Sequence, residues 1–308
     1  QDPEDPTTGV PGRHKKYSIG KVVIYTDFDP KQALQERENY FATFDTTQIR
    51  GFLFLHHKEM RIGSDVLLQS NLVIPGELYD IKNVDRTYRN LSSLKAFRLV
   101  NIQFTDGAAP GTIDCQIQLT PFNMQSYQTE LEGTNASGNL GLAGNVSYQN
   151  RNLFGNAEIF DVKVRGALER QSVIIESQTS QIPEYLPFNT IEAGGESKVH
   201  FHSFLLPFRS EKFIKDHNPK SNISVSFNFQ QRPEYARTIS NISFGYDWEG
   251  NRNLKHYLNP VEFNFVNLPF ITRRFQYSIN GTFLENSYTN HLVGVTSYSF
   301  IFNNQNIH

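Results

Sequence analysis

The stretch from Ser126 to Gln171, SYQTELEGTNASGNLGLAGNVSYQNRNLFGNAEIFDVKVRGALERQ, alternates polar and apolar residues and breaks only at Gly and Asn turns. From Asn139 to Gln149 one face carries Leu140, Leu142, Gly144, Val146 and Tyr148, and the other carries Gly141, Ala143, Asn145, Ser147 and Gln149. A period of two is that of a β-strand. The next run sets Phe160, Val162, Val164 and Leu168 against Asp161, Lys163, Arg165 and Glu169. Four charges on one face need water, which leaves two architectures. A soluble sandwich buries the apolar face in a core, whereas a membrane barrel turns it to lipid and encloses the polar face around a wet lumen.

Composition favours the barrel. Only 38% of the residues are apolar, yet 13% are aromatic, with 25 Phe and 14 Tyr. The mean hydropathy is −0.47, and no run of about 20 apolar residues exists, which excludes transmembrane helices. A barrel with a polar lumen reads this way, because roughly half of each strand never meets lipid. The net charge of −2, from 29 basic and 31 acidic residues, leaves no electrostatic footprint for nucleic acid, so no nucleic-acid partner is expected. The single cysteine, Cys115, shares a strand face with Ile113, Ile117 and Leu119; it reads as a small buried hydrophobe, with no disulfide or thiolate cluster available. No signal peptide opens the chain at Gln1, so the expectation is a sequence that begins after a cleaved segment or inside a longer precursor.

The chain divides by grammar. Residues 1–16, rich in Pro, Gly and charge, read as a linker. Residues 17–122 read as a small α+β domain of order β-α-α-β-β: a strand from Tyr17 to Thr26, a polar insertion from Asp27 to Asp45 followed by an apolar run at Gly51–Leu55, a short helix over Gly63–Leu72, a second helix N-capped by Asp80, and strands at Leu99–Thr105 and Thr112–Thr120. The second helix places Ile81, Val84, Tyr88, Leu91 and Leu94 at helical spacing. Residues 123–308 read as strands only: Ser126–Gly133, the two quoted above, Glu196–Leu205, Asn222–Gln230, Ile239–Trp248, Val261–Val266, Phe275–Phe283 and Leu292–Phe302, with a long connection at Ser172–Gly195. Most have the roughly 9 to 11 residues that a tilted strand needs to cross a bilayer.

The α+β module ending in Ala96-Phe97-Arg98-Leu99-Val100-Asn101-Ile102-Gln103-Phe104, followed by Leu119-Thr120-Pro121, Glu130-Leu131-Glu132-Gly133-Thr134-Asn135-Ala136-Ser137-Gly138-Asn139-Leu140-Gly141 and Tyr148-Gln149-Asn150-Arg151-Asn152-Leu153-Phe154, resembles the BamA/TamA outer-membrane assembly superfamily. More narrowly it resembles the Bacteroidetes-type, TamA-like surface-antigen branch. The resemblance implies that residues 17–122 are the last POTRA domain, in the periplasm, and that 123–308 are the N-terminal half of an antiparallel transmembrane β-barrel in the bacterial outer membrane. It implies about eight of an expected sixteen strands, and hence a fragment whose interior loop motif and closing strand lie beyond His308. The implied function is non-enzymatic and without cofactor: the domain receives unfolded outer-membrane proteins and the barrel templates their strands at its weakly closed first strand. Partners would be those substrates, outer-membrane lipids, and an inner-membrane or periplasmic protein. The implied seam is Ser126, Tyr127, Gln128, Thr129, Glu130, Leu131, Glu132 and Gly133, with Gln128, Glu130 and Glu132 on one face and Tyr127, Thr129 and Leu131 toward lipid. The implied POTRA edge is Val100, Ile102 and Phe104, and the lumen-facing set is Asp161, Lys163, Arg165 and Glu169.

Other motifs carry less. His56-His57 and His200-x-His202 lack an evident third ligand. Asp27/Asp29 and Glu130/Glu132 are paired carboxylates without a nucleophile or pocket. Gly138, Gly141 and Gly144 lie in an alternating strand with no following helix, unlike a dinucleotide loop. Asn241-Ile242-Ser243 is a triplet expected by chance. Tyr148, Phe154, Phe160, Phe204, Phe208, Trp248 and Tyr257 fall near proposed strand ends, where an interfacial girdle belongs. Two rival functions share parts of this pattern: a two-partner-secretion channel exporting one soluble partner, and a soluble β-rich surface-binding protein.

Overall fold

A computed structural model describes residues 16–136, 139–171, 188–205, 211–251 and 253–303. Gly138, Phe208, most of the 1–16 linker and much of the 172–195 connection lie outside the described residues. The chain forms two compact units that divide between Asn123 and Met124, with Gly155–Ala157 grouped with the first.

The first unit runs β1 (Ser18–Tyr25), α1 (Pro30–Glu36), α2 (Glu38–Ala42), β2 (Asp45–Ile49), β3 (Phe52–His56), α3 (Ser64–Ser70), α4 (Ile81–Ser93), β4 (Phe97–Asp106) and β5 (Thr112–Pro121). The expected β-α-α-β-β order is therefore extended by a further α-α-β-β. The Asp27–Asp45 segment holds two short helices, and the apolar run at Gly51–Leu55 becomes β3, paired with β2. The sheet order is β2-β3-β1-β5-β4, with β1 central and parallel to both neighbours. A central parallel strand is covered on both faces, and β1 shows this. Val22 and Ile24 are in register with Cys115 and Ile117 on one buried face, which also holds Phe54. On the other, Tyr25 packs with Phe28 and Tyr40 beside Ala33, Phe44 and Leu55. What reads as a polar insertion thus supplies half a core. The register of β1 shifts between Ile19 and Val22, where the Lys21 amide donates to Asp114 Oδ1 at 2.7 Å. A Cβ on Gly20 would crowd that carboxylate oxygen, so a larger residue there would make the Asp114 side chain shift away from the Lys21 amide.

Asp80 caps α4 as expected, accepting from the Lys82 amide at 2.9 Å, but the buried face differs from the apolar spacing. Thr87, Asn90 and Leu91 are buried, whereas Ile81 and Tyr88 are exposed. Thr87 is drawn inside because its hydroxyl accepts from the Leu72 amide at 2.8 Å, tying α4 to the segment after α3.

The second unit is an eight-stranded antiparallel meander in sequence order: β6 (Gln125–Ala136), β7 (Asn139–Asn150), β8 (Ile159–Arg170), β9 (Thr190–Phe201), β10 (Lys220–Gln231), β11 (Tyr235–Asn251), β12 (Leu254–Ile271) and β13 (His291–Phe302). Two short α-helices, α5 (Glu211–His217) and α6 (Arg273–Ile279), and a 3-10 turn at Glu285–Tyr288 interrupt it. Two expectations need correction. β9 starts at Thr190, inside what reads as a long connection. The Phe275–Phe283 segment is not a strand: Thr272 caps α6 by accepting from the Phe275 amide, and Phe275 and Ile279, one turn apart, bury against Tyr235.

Register carries the two faces across every strand. The apolar side exposes Leu131 on β6, Val146 on β7, Val164 on β8, Val225 on β10, Ile242 on β11, Phe263 on β12, and Leu292 and Phe300 on β13. Val146 is 54% and Phe263 43% exposed, values a sandwich's inner face would not show. Among the described residues no second layer covers this side.

Candidate functional site

The site has two parts within the second unit, an unpaired edge and a polar face. β6 ends the sheet and bonds only to β7, with Tyr127 opposite Tyr148, Thr129 opposite Val146 and Leu131 opposite Gly144. Its other side offers backbone N–H and C=O groups with no neighbouring strand among the described residues. The eight residues Ser126–Gly133 all lie on β6, and Tyr127 and Leu131 are 72% and 79% exposed. Leu131 stands over Gly144, which has no side chain to fill the space across the pair. Side-chain support is therefore uneven along this edge, with the Tyr127–Tyr148 ring pair near its start and an unfilled position across from Leu131.

On the opposite face charges are matched. Asp161 lies in register with Lys198, and Lys163 with Glu196. Arg165 reaches Glu132 at 3.8 Å, Gln149 donates to Asp161 at 2.6 Å, and Asn145 donates to Glu130 at 2.8 Å. Opposite charges across a ladder favour one register. Five of these groups, Gln149, Asp161, Lys163, Glu196 and Lys198, border with Gln128 a cleft of about 370 Å³. The polar face continues through the Ser224–Ser243 pair at 2.7 Å and the Asn241–Asn264 bond at 2.8 Å. Glu169 sits farther along β8 and accepts from Gln171 at 2.6 Å. The structure therefore gathers Glu130, Glu132, Asp161, Lys163 and Arg165 on one polar face of the sheet, on its first three strands from the open edge.

Aromatic side chains collect at the end of the sheet where β6 begins. Tyr127, Tyr148 and Phe160 form a chain with ring centroids 4.9 and 6.4 Å apart, and Trp248, His256 and Tyr298 stack at 5.0 and 6.0 Å. Phe204 lies 5.1 Å from Tyr246 in the same band.

Val100, Ile102 and Phe104 lie on β4, the outer strand of the five-stranded sheet, which pairs only with β5. Tempting ligands in the first unit have other work. Asp29 caps α1, and Asp27 accepts from the His57 amide at 3.1 Å with the His57 ring 3.2 Å away. His56 Nε2 lies 2.9 Å from the Thr47 hydroxyl. Among the described residues no group of three or more His, Cys, Asp or Glu is placed to hold a metal ion. Sequence reasoning missed the cluster of Tyr235, Phe275, Ile279 and Tyr288, over which Arg232 and Arg237 stack at 5.7 and 5.9 Å from the Tyr235 ring. The i, i+4 spacing behind Thr272 was its only signal.

No family model and no curated protein matches the chain. Three solved structures resemble it: BamA from Haemophilus ducreyi lacking POTRA domains 1–3, at 9% identity and a TM-score of 0.45 over 95% of this chain; CdiB from Acinetobacter baumannii, at 12% and 0.32 over 85%; and CdiB from Escherichia coli, at 11% and 0.31 over 96%. The chain spans 60%, 64% and 66% of the lengths of those three solved chains, respectively.

Proposed function

We propose that the second unit is wall of an outer-membrane β-barrel and that the protein assembles other barrels, receiving unfolded outer-membrane proteins in the periplasm through its α+β unit and templating their strands on β6. The observation that carries this reading is one eight-stranded sheet with an uncovered apolar face, a hydrogen-bonded polar face and a terminal strand open along its length. An uncovered apolar side is stable in lipid and a liability in water. An open edge templates another chain, and barrels ordinarily abolish it. The sequence resemblance around residues 119–154 supports the same assignment, with the α+β unit as the final POTRA domain and its β4 edge, through Val100, Ile102 and Phe104, as a second place for extended segments to add. No step requires catalysis or a cofactor, because strand addition exchanges backbone hydrogen bonds.

Depletion tests the role: the abundance of other outer-membrane barrels is expected to fall several-fold, and unchanged abundance overturns it. A photoreactive residue at Thr129 is expected to capture unfolded barrel substrates, while one at Asn241, inside the sheet, is not. Capture of a single soluble exported protein at Thr129, with other barrels intact, would instead assign a secretion channel.

A further inference from the structure

The connection between β9 and β10 contains α5, whose seven residues are too few to hold a helix in water unaided. Its support comes from the sheet. Phe213 lies 5.6 Å from Phe204 and 6.4 Å from Trp248, and His217 Nδ1 is 2.7 Å from the carbonyl of Glu249. Trp248 and Tyr246 share one face of β11 with Phe244 and Ile242, the side on which Ile242 is exposed. The lead-in to the helix lies over that same side. Leu205 donates its amide to Ser221 Oγ at 2.9 Å, Ser221 donates to the Ser203 carbonyl at 3.0 Å, and Tyr246 donates to the Leu205 carbonyl at 3.2 Å. This cover explains why Tyr246 is only 5% exposed on an otherwise open face.

We infer that α5 is an interfacial anchor lying outside the barrel wall, seated in the phospholipid headgroup layer at the rim where β6 begins; this rests on the membrane reading of the sheet. Phe213, Ile214 and His217 share the half-buried side of the helix, and Lys212, Lys215 and Asp216 the exposed side. Apolar groups toward the wall and acyl boundary, with a charged side of two lysines and one aspartate toward the headgroups, is the arrangement of a helix that lies on a bilayer. It is continuous with the Trp248–His256–Tyr298 stack, the residue types that settle at headgroup depth.

Spin labels at Ile214→Cys and, separately, Phe263→Cys, in the full chain carrying Cys115→Ala and reconstituted in phosphatidylethanolamine/phosphatidylglycerol vesicles, test this by their access to oxygen against an aqueous nickel chelate. Both labels are expected to favour oxygen several-fold, the one at 214 less than the one at 263. If 263 is lipid-embedded and 214 is as open to nickel as a soluble loop, the anchor is overturned and the barrel wall stands. If both are open to nickel, the membrane reading falls as well. The protein's one tryptophan gives a check without cysteine changes: Phe213→Asp is expected to shift Trp248 emission to the red and raise iodide quenching several-fold in the same vesicles, and unchanged emission overturns the anchor.

Discussion

Cys115 is fully buried on β5, and burial pushes its thiol up to about 12 from the ordinary 9.0. A thiol raised in the folded state keeps its proton where the unfolded chain has lost it. Stability from this group is therefore complete below about pH 9 and declines as pH rises toward about 12. At pH 8 iodoacetamide is expected to leave Cys115 unmodified in the native chain and to alkylate it only on unfolding, which makes the reaction a probe of the first unit. With that probe, Phe54→Ala, at a fully buried position, should cost about 3–5 kcal/mol by denaturant titration. The cysteine's fate was legible from its apolar strand neighbours. The work of Asp27 was not, because its contact with His57 depends on where the chain returns, whereas the cap by Asp29 is local to Lys31 and went unread because the segment after it reads as a polar insertion.

Elements were legible in proportion to how much one periodicity excluded the other. β6 to β8 alternate through most of their length, and their register pairs like faces throughout. The Phe275–Phe283 segment satisfies a period of two and an i, i+4 pair at once, and the buried Tyr235 ring decides for the helix. In α4 the cap was readable, but the buried face was not, since Thr87 enters the interior through a hydrogen bond to the Leu72 amide. Leu91→Ala should therefore cost about 2–5 kcal/mol in the alkylation assay, while Tyr88→Ala and Ile81→Ala, on the exposed side, should stay within about 0.5 kcal/mol. A large loss at Tyr88 would mean that its side of α4 is covered in the protein. Asp80→Ala removes the cap seen at the Lys82 amide and should cost about 1 kcal/mol.

At the scale of the whole molecule, the division between sandwich and barrel is a statement about which solvent each sheet face meets, and adjacent residues of one strand can answer it. Phe263 and Asn264 are neighbours near the middle of β12 and point to opposite faces. Phe263 opposes Ile242 on the exposed apolar side, whereas Asn264 accepts from Asn241 within the polar network. If the apolar side meets hydrocarbon, Phe263→Lys places an ammonium at the depth where it costs about 2–4 kcal/mol. Asn264→Lys adds a charge beside Glu262, which already accepts from Asn241 and Asn264 at 3.2 Å on the polar face, and if that face meets water it should cost less than about 1 kcal/mol. Urea unfolding of the chain reconstituted in vesicles measures both. A sandwich reverses the comparison in aqueous buffer only if a second layer covers Phe263, and its 43% exposure argues against one. Equal, small effects at the two positions in vesicles would mean that water wets both faces, and the barrel assignment would fall with them.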